Sequence, residues 1–249
     1  MRKYLLIGGI LFALFVVAFA PAGLLRSLLE PVPGVALLDP VGTIWRGAGA
    51  LYLEDRPAGT VRWQFRPVTI LQGSLGYDLE LSGPDHAVDA QVAVSPSRLR
   101  LRADGRLGAA FVNQWLGSYD IGLGGEIRLH EIDLALPVRA ASPTAGAPPQ
   151  LAPGEASGTA SWSGGNVRYR LSGRSYSSAL PALTATLGEG LQANVYPAEG
   201  QTPLIRAQLL DNGFAKIGIT RLLTRLLNNP WPGSDADHEV VLEVEEQLY

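Results

Sequence analysis

From Tyr4 to Leu25 the chain carries no charged residue, and Arg2 and Lys3 stand directly before that run. About 20 apolar residues span the hydrocarbon core of a bilayer. Basic flanks stay on the cytoplasmic side. The run predicts a transmembrane anchor over residues 1–26, with the rest of the chain across the membrane. Ala18-Phe19-Ala20 has the small-x-small form of a signal-peptide cleavage site. Pro21 after it is an awkward neighbour for a cleaved bond, and the run outlasts a signal h-region of roughly 7–15 residues. A retained anchor is the expectation, and both readings export residues 27–249.

The exported part is weakly charged. The net charge of the whole chain is −3, so no basic surface points to nucleic acid. There are no cysteines, so an exported domain must hold itself by an ordinary core rather than disulfides. The 29 glycines and 18 prolines favour short strands and turns over long helices. Pro31 and Pro33 stop any helix continuing out of the membrane, because proline lacks the amide donor.

Alternation then takes over. Val61, Trp63 and Phe65 share one phase, opposite Arg62, Gln64 and Arg66. Residues 77–82, 86–94 and 98–102 repeat the pattern, which predicts strands with one buried face. Arg62 and Arg66 on one strand complement Asp78 and Glu80 on the next. Residues 108–116 read as a short helix. The apolar phase shifts at His130-Glu131, which predicts a β-bulge. Residues 140–154 are rich in Pro and Ala and read as a linker or loop. Strand pattern resumes from Gly158 to Leu171. A helix is expected over Thr220–Leu227 and a final strand over His238–Glu245. The expected organisation is an anchor at 1–26, β-rich halves at 27–139 and 157–249, and a linker or loop at 140–156.

Chemistry is sparse. Without cysteine, thiolate catalysis and sulfur-ligated zinc are excluded. His86 reads as a turn residue. His130, Glu131 and Asp133 cannot all converge from one regular strand. Gly188-Glu189-Gly190-Leu191-Gln192-Ala193 fits a loose dinucleotide fingerprint, yet Leu191–Tyr196 alternates like a strand, so the glycines read as a turn. No catalytic, cofactor-binding or metal-binding residue is assigned. The tryptophans remain. Trp63 and Trp162 lie on the apolar phase of strands and read as core. Trp231 stands between Pro230 and Pro232 in a rigid turn. Trp231, Pro230 and Trp45 are the candidate partner-binding residues.

A weak internal repeat runs through the chain. Gly59-Thr60-Val61-Arg62-Trp63 resembles Gly158-Thr159-Ala160-Ser161-Trp162, with Gly42-Thr43-Ile44-Trp45-Arg46-Gly47 as a looser copy. These elements, the anchor, Ile219-Thr220-Arg221-Leu222-Leu223, and Pro230-Trp231 before an acidic final strand occur in an order that resembles the type II secretion system protein N family. The resemblance covers nearly the whole chain. It implies a non-enzymatic, single-pass inner-membrane protein facing the periplasm, partnered by other envelope components of the secretion apparatus.

The expected fold is mainly β: an N-terminal transmembrane helix, then a curved antiparallel sheet or meander with a few short helices. The expected function is assembly or operation of type II secretion through periplasmic protein contacts. The alternative is a β-groove that binds lipid or another apolar ligand. A lipid carrier would leave its apolar face open, whereas a scaffold would cover it with helices or a second sheet.

Overall fold

The computed structural model describes residues 2–30, 32–137, 154–171, 173–210, 214–233 and 236–247. They fall into two compact units, Met1–Pro84 and Asp85–Tyr249.

The first unit begins with helix α1 (Arg2–Ala18) and helix α2 (Gly23–Leu29). The uncharged run that predicts one anchor over 1–26 is therefore divided. The break falls at Pro21, which has no N–H to continue a helix. The flanking backbone bonds elsewhere: Ala22 N–H donates to Gly42 O at 3.1 Å, and Ile44 N–H donates to Ala20 O at 3.0 Å. At 1.5 Å per residue α1 is roughly 25 Å long, short of a core of about 30 Å. No helix among the described residues is long and apolar enough to cross a membrane.

Four antiparallel strands come next: β1 (Val35–Gly42), β2 (Arg46–Leu53), β3 (Arg56–Arg66) and β4 (Leu75–Ser82). Opposed residues share a face, so Leu37↔Leu51, Val61↔Leu81 and Trp63↔Leu79 form one apolar surface. Leu25 and Leu29 of α2 pack on it, and Ala22 and Trp63 are buried. The other face carries the charge ladder expected from the sequence. Arg62 lies 3.3 Å from Glu80, and Arg66 lies 3.8 Å from Asp78.

The second unit has nine antiparallel strands in the order β5-β6-β8-β9-β12-β13-β14-β15-β16 and a smaller sheet, β11-β10-β7. Their spans are β5 His86–Val94, β6 Arg98–Gly108, β7 Ile121–Leu123, β8 Glu126–Pro137, β9 Glu155–Trp162, β10 Gly165–Leu171, β11 Arg174–Leu180, β12 Leu183–Gly188, β13 Gln192–Pro197, β14 Ile205–Leu209, β15 Phe214–Thr220 and β16 Val240–Gln247. Helix α3 (Ala109–Leu116) comes after β6, and α4 (Arg221–Leu226) after β15. The antiparallel, mainly β architecture with short helices matches the expected fold. Of the expected linker or loop at 140–156, residues 140–153 lie outside the described ones, and Glu155 and Ala156 belong instead to β9, where they pair with Ala135 and Leu134 of β8.

The bulge at His130-Glu131 is present. Pairing of β8 with β9 shifts between His130 and Asp133, and Glu131 has φ +48°. Its displaced N–H donates to Asp104 Oδ1 at 2.7 Å. Gly158 faces it with φ +122°, and a Cβ there would lie 2.6 Å from Glu131 O. Only glycine fits that backbone without strain. The bulge returns Ile132 and Leu134 to the face shared by Ala103 and Leu101.

Candidate interaction surfaces

The repeated Gly-Thr-x-x-Trp elements build the two cores. Trp63 and Trp162 are 5% and 8% exposed. Each indole N–H donates to a carbonyl in a tight turn: Trp63 to Thr43 O at 3.0 Å, Trp162 to Gly124 O at 2.8 Å. A buried tryptophan needs such a partner, so position and acceptor go together. Gly59 and Gly158, which open the elements, both have positive φ. The looser copy differs, because Gly42-Thr43-Ile44-Trp45 forms the β1–β2 connection rather than a strand. There Thr43 Oγ1 accepts from the N–H groups of Trp45 and Arg46.

Trp45 is half-buried. Its Nε1 donates to Val17 O at 2.8 Å, a carbonyl in the last turn of α1 that also accepts from Ala20 N–H at 3.3 Å. Its ring packs edge-on to Phe65 at 4.8 Å, and Phe65 does the same to Tyr77 at 5.4 Å. Burial raises the Tyr77 pKa above its ordinary value. The cluster sits at the foot of a helix whose described side chains are exposed and apolar: Tyr4, Ile7, Leu11, Phe12, Phe15, Val16 and Val17 are each more than half exposed.

Trp231 is 41% exposed. Its turn is held from behind by α4. Trp231 N–H donates to Thr224 Oγ1 at 3.2 Å, and Arg221 donates to Gly233 O. Arg225 binds both carboxylate oxygens of Asp237, at 2.6 and 2.7 Å. Both bonds come from Nη1, a single charge-assisted contact. The far end of α4 is fastened too: Ser178 and Tyr169 hydroxyls both donate to Leu227 O. Tyr169 has a raised pKa, from burial first and then from Tyr176 stacked on it. The exposed indole and Pro230 therefore stand on a braced loop.

The large sheet of the second unit has one apolar and one polar face. Ile127, Trp162 and Leu183 lie in one cross-strand row. Leu129, Ala160, Ala185, Val195, Ile205, Ile219 and Leu242 form the next. The row through Trp162 is roofed by Val167 of β10, Leu180 of β11, Leu123 of β7 and Leu223 of α4. Farther along, Val88, Val92, Leu101, Leu129, Leu134, Ala185, Leu187 and Val195 are only half-buried. On the other face lie Arg106, Arg128, Ser161 and Thr184 in one row.

His86 departs from its expected place. It is 5% exposed, not a polar turn residue, with its ring 4.0 Å from that of Phe111 and its Nδ1 3.6 Å from Asp85. Asp85 Oδ2 accepts from Phe111 N–H at 2.9 Å, capping the start of α3. Sequence reasoning also misses Asn113, whose amide accepts from Leu123 N–H and donates to Leu123 O, pinning β7 to α3. Among the described residues, no three His, Cys, Asp or Glu side chains gather as a metal site. Gly188 ends β12 and Gly190, at φ +69°, lies in the turn to β13, in keeping with the turn that the pattern predicts.

These features define an antiparallel, mainly β protein with short helices. The sequence model described as Type II secretion system (T2SS), protein N matches residues 33–216, from just before β1 into β15, and the chain belongs to that family of secretion-machinery components. The matched stretch contains both core tryptophans, while α1, Trp231 and β16 lie outside it. Neither a curated protein nor a solved structure matches the chain.

Proposed function

We propose that this protein is a non-enzymatic inner-membrane component of the type II secretion apparatus, held by its N-terminus with its bulk in the periplasm. It acts through contacts with other envelope components of the machine. Family membership supports the role in secretion. The observation that carries the membrane placement is α1, whose described side chains after Lys3 are apolar and exposed. A short apolar helix is accommodated by local thinning and by flanking side chains that reach the headgroups, here Lys3. Trp45, bonded to the last turn of α1, then sits at the depth where aromatic residues anchor membrane proteins.

The chain has no cysteine, so single cysteines report topology directly. In intact spheroplasts, an impermeant maleimide should label Ser95→Cys and leave Lys3→Cys untouched. Labelling of both or of neither defeats the placement. The contact is tested at Trp231. Trp231→Ala should impair secretion without lowering the melting temperature, because the loop is braced by backbone and arginine contacts rather than by the indole. Normal secretion at normal stability removes Trp231 as a docking residue.

A second reading rests on the half-buried apolar rows of the large sheet. An apolar ligand such as a lipid chain would lie along Leu129, Ala185 and Val195. Lipid co-purifying with the wild-type chain, and lost on Ala185→Glu, would support it.

A further inference from the structure

We propose that the outer edge of β16 is a docking strand for an extended partner segment in which apolar residues alternate with lysine or arginine. β16 pairs with β15 on one side, and no described strand meets its other side. A free edge offers unpaired N–H and C=O groups to any extended chain. Two other edges, β1 and β11, are blunted. β1 breaks its register between Leu38 and Val41, around Asp39 at φ +48° and Pro40. Proline and bulges are common protections of an edge. β11 presents Arg174, Ser175 and Ser177. β16 also breaks its register, at Val241, but from Leu242 to Gln247 it runs without proline or bulge.

The two faces of β16 specify the occupant. Leu242 and Val244 are 39% and 44% exposed, and they continue the rows of Ile219 and Ile217. A partner strand would extend those rows with apolar side chains. The opposite face carries Glu243 and Glu245. Their neighbour on β15 is one lysine: Lys216 lies 2.9 Å from Glu243 and directly opposite Glu245. Two carboxylates against one ammonium leave net negative charge at the edge, and cross-strand pairs of opposite charge favour pairing. A second copy of β16 fits poorly. Centred on Val244 it sets Glu243 against Glu245 twice, and like charges directly opposite oppose pairing. Addition of a strand to an edge gives affinity through the backbone and selectivity through alternate side chains. This docking strand is independent of the Trp231 contact.

The test uses the full chain in detergent and two synthetic peptides, an alternating Lys-Val heptamer and its Glu-Val counterpart. Hydrogen exchange is followed across the protein at low salt. The basic peptide should slow exchange of the amides of Val240–Gln247 about tenfold at saturation, and the acidic one should not. Raising the salt to about 0.5 M should weaken the effect, since exposed charges are then screened. Glu243→Lys with Glu245→Lys should reverse the preference. If that variant fails to fold, Glu245→Gln should still reduce affinity for the basic peptide severalfold. Equal protection by both peptides, or protection elsewhere than β16, overturns the proposal. So does a concentration-dependent dimer that protects β16 without peptide, which would assign the edge to a second copy.

Discussion

The two units build their cores on the same five-residue element and cover them differently. In the first, α2 lies on four strands, and Ala22, Leu37, Val61 and Trp63 close around one another. In the second, α4 and the three-stranded sheet close over Trp162, Val167, Leu180, Leu204 and Leu223, while beyond them Leu101, Leu129, Leu134, Ala185 and Val195 are half-buried beside the buried Ala103, Ile132 and Ala156. A sheet with one apolar face must bury it against something. One seven-residue helix serves a four-stranded sheet, whereas α4 and a three-stranded sheet cover only part of nine strands. The roofed region holds the cluster of buried large side chains, and the half-buried rows lie beyond it.

The comparison breaks most sharply at the tryptophans. Trp63→Ala and Trp162→Ala should each cost roughly 3–5 kcal/mol, as large-to-small core changes do. Each also strands a turn carbonyl, Thr43 O or Gly124 O. Native-state hydrogen exchange on the full chain separates the units. Trp63→Ala should lower protection in β1–β4, and Trp162→Ala in β8, β9 and β12. Uniform loss throughout the chain from either substitution would show that the two cores unfold as one. Unchanged protection would mean that the rings are not core.

A smaller effect sharpens the same contrast. Each tryptophan is approached by a glycine. A Cβ on Gly47 would lie 2.5 Å from Trp63 Cζ2 and would overlap Val41 O. A Cβ on Gly125 would lie 3.1 Å from Trp162 Nε1 and would overlap Gly164 O, at a backbone φ of +82°. Overpacking of this kind costs about 1–3 kcal/mol. Gly125 adds a conformation that alanine resists, so Gly125→Ala should be the worse of the two. Denaturant midpoints with unchanged slopes would measure it. Equal or reversed costs would mean that the Gly125 turn relaxes.

Signals in the sequence are reliable where the physics is local. The phase slip at His130-Glu131 marks the bulge because one extra residue inverts a period-two pattern. Arg62 with Glu80, and Arg66 with Asp78, mark a strand pair because register is set by nearby turns. Nonlocal partners are illegible. Nothing near Pro21 says that Ala20 and Ala22 will bond Ile44 and Gly42, and those bonds divide the apolar run. His86 looks like a turn residue because Phe111, which covers it, arrives from α3. The prolines beside Trp231 place it on a rigid turn, but the bracing by Arg221 and Arg225 has no local signature. Trp45 stands out as an aromatic residue without a sign that it closes α1.

The smallest expected effect lies on the solvent face, where the two units again carry equivalent devices. Arg62 and Glu80 are 61% and 53% exposed, so a double-mutant cycle should give only about 0.2–1 kcal/mol. High salt should reduce it further. In the second unit the equivalent pair is Lys216 with Glu243. The hydrogen bond that Lys216 donates to Glu243, and then the charge of Glu243, raise the Lys216 pKa above 10.5. A raised lysine pKa means that the folded state holds the proton more tightly than the unfolded chain. The pair's contribution is therefore complete below the unfolded value and fades as pH rises through the folded one. Across neutral pH it should be flat. Glu243→Gln should move the Lys216 titration, followed by NMR of its side chain, back toward 10.5. An unmoved titration would show that Glu245, directly opposite Lys216, holds the charge instead, and would leave Glu243 free at the edge of β16.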